Sequence, residues 1–267
     1  MEEEAKVVQF PGTEERQIVA FGGGGFSMEA GNPLLDEYVM DLARRRRERP
    51  RICFLPTASG DADHYIVRFY RAFPASICEA SHISLFRRDR GVGDLRAHLL
   101  SQDMIYVGGG SVISMLGAWR AHGVDVLLAE AWRNGVILAG LSAGSLCWYS
   151  QGVTSFHGEV LRVRGLGLLP WSNCVHYGTD QGRREAYHDL LQRGMCPGYG
   201  VENGAALHFT GSRLTAAISS RPEARAWCVG DGGDRVIETA LPTRYLGAAP
   251  TGSEPAAAGS EGLHAVA

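Results

Sequence analysis

Short apolar runs alternate with longer amphipathic stretches along the first half of the chain. Runs of β-branched and other apolar residues at Gln17–Phe21, Arg51–Leu55, His82–Leu85, Met104–Val107 and Val136–Leu141 predict buried strands. Between them, helical spacing covers Pro33–Arg47, His64–Phe73, Leu95–Leu100 and Val112–Asn134, the last with a break near Gly123. Asn32-Pro33 reads as a helix start, a capping side chain followed by proline at the first helical position. Continuous apolar strands alternating with helices imply a mostly parallel sheet covered on both faces.

Beyond Leu141 the apolar runs shorten and crowd together, at Val160–Leu169, Asn173–His176, Leu214–Ser219, Ala226–Val229 and Arg235–Glu238. That spacing suggests partly antiparallel strands added to the same sheet, and hence one α/β domain over residues 16–246. Residues 1–15 are polar and aperiodic and read as a tail. From Gly247 to Ala267 the chain is rich in Ala, Gly, Pro, Ser and Glu, too poor in apolar surface to offset the entropy of ordering, so a disordered tail is expected.

Composition narrows the class. The chain has 267 residues, 45% of them hydrophobic, enough for a substantial core, and a formal net charge of only -3. Near-neutrality leaves no electrostatic footprint for nucleic acid or an anionic membrane, so neither is expected as a partner. The basic run Arg44–Arg47 closes a predicted helix, where cations complement the dipole. No apolar stretch is long enough to span a bilayer, and the acidic start Met1-Glu2-Glu3-Glu4 is unlike a secretory signal. Six scattered cysteines form no C-x-x-C pair, which fits reduced thiols in a cytoplasmic protein.

Two glycine clusters follow predicted strands, Gly22–Gly25 and Gly108–Gly110. Both fall at the carboxyl edge of the sheet, where open α/β sheets bind ligands. Neither carries a phosphate-loop lysine or a dinucleotide fingerprint. The first reads as a tight turn or as a floor for substrate approach. A third signal is Gly140-Leu141-Ser142-Ala143-Gly144, with Ser142 on a turn between a buried strand and a helix starting at Ala143. A nucleophile elbow requires this arrangement, and a helix N-terminus there favours developing negative charge. A serine needs a base. Of nine histidines, His64, His82, His98, His122 and His264 read as surface or satisfied core residues. His157 lies in a loop, His188 on a helix and His208 on a strand. His176 ends a short strand and is the candidate base.

Taken in order, Val107–Gly110, Gly140–Gly144 and Cys174–Tyr177, together with Gly22–Phe26, Leu55–Ser59 and Gly200–Leu207, resemble the signature regions of the peptidase E family. These are the S51 serine peptidases, aspartyl dipeptidases and cyanophycinases, and the resemblance runs from Gln17 to Glu238. It implies a flavodoxin-like, class I glutamine amidotransferase-like three-layer sandwich, with a mostly parallel sheet and added antiparallel strands. By resemblance Ser142 is the nucleophile, His176 the base, and the N–H groups of Gly110 and Ala143 the oxyanion hole. The family's third triad member is an acid; Glu159 is the only carboxylate between Ser142 and His176 and is the candidate, with Ser155 and Glu202 as alternatives. Arg183 and Arg184 occupy the stretch where the aspartyl dipeptidases bind an acidic side chain. Ser111-Val112 stands where the family continues its glycine triplet with Asn-Thr.

The expected substrate is therefore a short peptide with an N-terminal acidic residue, or a related isopeptide bond, cleaved without metal or organic cofactor. Three other readings stay open: an esterase or acyltransferase built on the same elbow, a catalytically silent binding member of the fold, and assembly as a homodimer.

Overall fold

The computed structural model describes residues 16–87, 93–179, 181–233 and 235–248. The tails expected at 1–15 and beyond 247 lie outside the described residues, apart from Gly247 and Ala248. The first half builds β1 (Gln17–Phe21), α1 (Gly25–Met28), α2 (Leu34–Arg44), β2 (Arg51–Leu55), α3 (Asp63–Ala72), β3 (Glu79–His82), α4 (Leu95–Leu100), β4 (Met104–Val107), α5 (Val112–His122), α6 (Val124–Arg133) and β5 (Ile137–Leu141). The second half adds α7 (Ala143–Leu146), β6 (Tyr149–Phe156), β7 (Glu159–Val163), β8 (Leu169–Val175), α8 (Gln181–Gln192), β9 (Gly198–Val201), β10 (Ala205–Thr210), β11 (Arg213–Ser219), β12 (Ala226–Asp231), β13 (Val236–Ala240) and β14 (Thr243–Tyr245).

One sheet has the order β14-β11-β10-β1-β5-β4-β2-β3. Its strands β1, β5, β4, β2 and β3 run parallel, while β10 pairs antiparallel with β1 and β11 antiparallel with β10. The expectation that all later strands join this sheet is corrected. A second sheet, β13-β12-β9-β8-β6-β7, is built from the chain after Ser142. The physical cause is the brevity of α7: the helix expected after Ser142 lasts a single turn, and the chain leaves it directly into β6.

Side chains alternate across the central strands, as the period of two demands. Val19, Phe21, Ile52, Phe54, Met104 and Tyr106 face α2 and α3, in a core rich in aromatic contacts around Phe26. Ile18, Ala20, Cys53, Leu55, Ile105 and Val107 face α5, α6 and the second sheet. The break near Gly123 is a left-handed residue with φ 71° that ends α5 and opens α6. No single helix among the described residues is long and apolar enough to cross a membrane.

Three local expectations shift. The strand expected at His82–Leu85 lies instead at Glu79–His82, because it pairs with β2 from Arg51↔Glu79 to Phe54↔His82. Its polar edge residues gave no apolar signal. Asn32 does not cap α2; its amide donates to the Ser220 carbonyl at 2.8 Å. The basic run does not close α2, which ends at Arg44; Arg44 pairs with Asp41, while Arg46 reaches the Gly135 carbonyl and Arg47 pairs with Asp103.

Asp36 is the charged group most at odds with this core. It is 6% exposed and accepts a hydrogen bond from the Tyr106 hydroxyl at 3.1 Å. Burial outweighs that bond and raises its pKa from the ordinary 3.8 to about 7. Between those values the folded chain holds a proton that the unfolded chain has released, so stability falls as pH rises. Asp36→Asn removes this dependence. Relative to the variant, the parent is expected to lose about 4 kcal/mol of unfolding free energy between pH 4 and pH 8, measured by urea denaturation; a pH-independent difference refutes the assignment.

Candidate active site

The parallel strands β1, β4 and β5 end at one edge of the sheet, and three loops therefore meet there. Ser142 leaves β5 with φ 53° and ψ −112°, a backbone conformation rarely adopted by L residues. Gly144 makes the turn possible, since a Cβ there would lie 2.3 Å from the Val107 carbonyl oxygen. The Gly108–Gly110 loop crosses the serine closely: a Cβ on Gly109 would sit 3.4 Å from Ser142 Cβ. Gly110 has φ 140° and packs against the Ala58 carbonyl. Neither its N–H nor that of Ala143, the first residue of α7, has an acceptor among the described residues. Ser111 caps α5 by accepting from the Ser114 N–H at 3.2 Å, so its hydroxyl is engaged in the helix start.

His176 follows β8 with φ 58°. Its Nε2 lies 2.8 Å from Ser142 Oγ, and its Nδ1 lies 2.5 Å from Asn203 Oδ1. The Asn203 amide donates in turn to Thr179 Oγ1 at 3.2 Å. An amide oxygen only accepts, so this network places the imidazole proton on Nδ1 and leaves the Nε2 lone pair for the serine hydroxyl. All three side chains are half-buried.

Sequence reasoning missed Asn203. Glu159, the expected orienting acid, is exposed at the start of β7, across the hairpin from Phe156, and its carboxylate makes no hydrogen bond or ion pair among the described residues. Ser155 is exposed and accepts from Arg183 Nη2 at 3.1 Å. Glu202 accepts from the Arg225 N–H and from Trp227 Nε1, both at 3.0 Å, which anchors it to β12. The one sequence signal was position: Asn203 adjoins Glu202, within the Gly200–Leu207 segment.

The two arginines part company. Arg184 binds Glu238, and its guanidinium lies 4.9 Å from the centre of the Tyr177 ring and 5.6 Å from that of Trp227. Glu238 also receives the Tyr177 hydroxyl, and His188 Nε2 lies 2.8 Å away. Burial works against its charge, but the hydrogen bonds from Arg184, Tyr177 and His188 prevail and hold the carboxyl at about 2. His208 is committed elsewhere, to Tyr38 at 2.7 Å and Gln17 at 2.9 Å, with burial lowering its pKa to about 4. A cavity of about 920 Å³ between α1, α2 and α3 contains none of the Ser142, His176 and Asn203 groups. Among the described residues no cluster of three His, Cys, Asp or Glu side chains is arranged to hold a metal ion.

A serine on a strained strand-to-helix turn, hydrogen-bonded to an oriented histidine, is the constellation of a serine hydrolase. Residues 18–217 match the model of Peptidase family S51. The chain belongs to that family and is a peptidase. It is 46% identical over 233 residues to the uncharacterized peptidase YgaJ of Bacillus subtilis (strain 168), covering 87% of this chain and all of the relative. It is 28% identical over 189 residues to peptidase E of Streptomyces coelicolor, covering 66% of this chain and 73% of that one. A crystal structure of a peptidase from an acI-B1 Actinobacterium shares the fold, with TM-score 0.61 at 16% identity over 85% of this chain and 94% of that chain.

The first glycine cluster supports the site from behind. A Cβ on Gly23 would lie 2.1 Å from Asn203 Oδ1 and 3.0 Å from His176 Nδ1. Gly23→Ala should therefore push the His176–Asn203 pair out of line, and a displacement of that size costs roughly 10²-fold in rate. The check is the rate of Ser142 labelling by a fluorophosphonate probe, read beside the melting temperature. Parent-like labelling in a folded variant contradicts the placement.

Proposed function

We propose that the chain hydrolyses short peptides through an acyl-enzyme on Ser142. The observation that carries this reading is the Ser142–His176–Asn203 hydrogen-bonded relay. His176 Nε2 takes the hydroxyl proton as Oγ attacks the scissile carbonyl carbon. The carbonyl oxygen becomes an oxyanion, received by the N–H groups of Gly110 and Ala143, two donors with no other acceptor among the described residues. The C–N bond breaks as His176 returns the proton to the leaving amine. Water, deprotonated by His176, then attacks the acyl carbon, and His176 passes that proton to Oγ as the acyl C–O bond breaks and frees Ser142.

Specificity for an N-terminal acidic residue, or for a related isopeptide bond, rests on Arg183. Its guanidinium is held at Ser155, two residues beyond Val153, whose partner Cys174 is two residues before His176. That register supports a place for Arg183 on the histidine's side of the second sheet, and a guanidinium fork matches a carboxylate. Arg184 is left out of this role because Glu238 occupies it. All six cysteines are free thiols, four of them buried, which supports a cytoplasmic enzyme.

Ser142→Ala should abolish fluorophosphonate labelling, and undiminished labelling rejects the nucleophile. Asn203→Ala should lower kcat roughly 10²-fold with KM little changed, since it misorients the base without touching substrate. Parent-like kcat excludes Asn203 from the relay. Against a panel of Asp-X, Glu-X, β-Asp-linked and neutral dipeptides, Arg183→Ala should raise KM for acidic substrates alone, whereas Arg184→Ala should lower stability without changing the preference. Equal loss on neutral substrates rejects the pocket.

A further inference from the structure

At the opposite end of the main sheet from Ser142 lies a second cavity, of about 620 Å³. Its wall is made by Arg16, just ahead of β1, by Trp132 near the end of α6, by residues 167–170 where the chain enters β8, and by the β10–β11 hairpin with Thr210, Ser212 and Arg213. The length of β1, about 17 Å, separates it from Gly22 and the catalytic loops. It is a site apart from the peptidase centre.

The charge on this wall is one-sided. Among the described residues, every ionisable side chain on it is an arginine, and no carboxylate lines it. Among the described residues neither guanidinium has a carboxylate partner. Arg16 instead stacks over the Trp132 ring, 5.0 Å from its centre. Two buried donors are also left without an acceptor among the described residues, Arg16 Nε and Trp132 Nε1. Buried donors are satisfied in the great majority of proteins, so two orphans on one cavity wall point to a missing acceptor. Thr210 and Ser212 add hydroxyls to the same wall.

We propose that this cavity binds a small multivalent oxyanion, of the phosphate-bearing kind. Guanidinium groups bind such oxygens bidentately and retain their charge at any physiological pH. A second negative charge on the ligand answers the second arginine. The volume exceeds that of one phosphate group, and the apolar surfaces of Trp132, Leu168 and Pro170 can cover a small organic body attached to it. The exposed position of Arg213 on a hairpin makes it the capturing residue, while Arg16 and Trp132 supply the buried donors.

The test is titration of the full chain with inorganic pyrophosphate by calorimetry, alongside Arg213→Gln, Arg16→Gln and Trp132→Phe. Saturable binding to the parent is expected, weakened at least tenfold by either arginine substitution and several-fold by Trp132→Phe. Because Arg16→Gln removes a half-buried stacking partner, Arg213→Gln, exposed at the start of β11, carries the result if the former does not fold. Binding should also weaken steeply between low and high salt. No saturable binding up to millimolar pyrophosphate, or binding that Arg213→Gln leaves intact, overturns the proposal. Either result is independent of Ser142, whose labelling Arg213→Gln should not change.

Discussion

Four backbone hydrogen bonds around Phe21, Gly22 and Gly23 hold the candidate site together. The Phe21 carbonyl accepts from the Ser142 N–H at 3.2 Å, and the Gly22 carbonyl accepts from the His176 N–H at 3.2 Å. Gly22 N–H donates to Ala205, and the Gly23 carbonyl accepts from Gly204, next to Asn203. Thus the end of β1 fixes Ser142 from one sheet, His176 from the other and Asn203 just ahead of β10. No side chain is needed for this, and none would fit: a Cβ on Gly22 would fall 2.3 Å from the Val201 carbonyl oxygen. A contact made only of backbone groups requires the two sheets to approach at glycine, and the rest of the architecture follows that approach.

The same bonds explain how two strained residues persist. Ser142 and His176 both have φ between 50° and 60°, a region that costs of order 1–3 kcal/mol for a non-glycine residue. Each has its N–H bound to the β1 end, so relaxing either turn would break a buried hydrogen bond. Behind His176, Tyr177 is pinned through Glu238 to Arg184 and His188. Strain in Ser142 and His176 is therefore opposed from both sides, and Oγ and Nε2 meet at 2.8 Å.

The parts of the molecule legible in the sequence are those whose signal is local. β1, β2 and β4 are continuous apolar runs and were readable to the residue; α5 and α6 divide at a glycine that must be left-handed. Ser142 is announced by its flanking glycines and His176 by its place in the Cys174–Tyr177 segment. β3 was displaced because an edge strand of Glu, Ala, Ser and His carries no apolar pattern. The second sheet was folded into the first because a strand's pattern does not say which sheet will take it. Asn203 was invisible for the same reason. Only the register Phe21↔Ala206 brings it beside Gly23 and the imidazole, and register is a tertiary quantity.

That register also bears on why an amide, and not the adjoining carboxylate, faces His176. Glu202 is one residue away, but its oxygens accept from Arg225 and Trp227 and so tie the β9–β10 connection to the start of β12. Turning it toward the imidazole would take that acceptor from the Arg225 N–H and from Trp227 Nε1, at the entry to β12. In the proposed relay the amide of Asn203 takes the orienting part of a triad acid, accepting from Nδ1 and fixing the tautomer, with its own N–H spent on Thr179. It does not perform the electrostatic part, because it carries no charge to stabilise the imidazolium. The division follows from the packing: the Glu202 carboxylate ties the β9–β10 connection to the start of β12, and the neutral side chain beside it faces Nδ1 of His176.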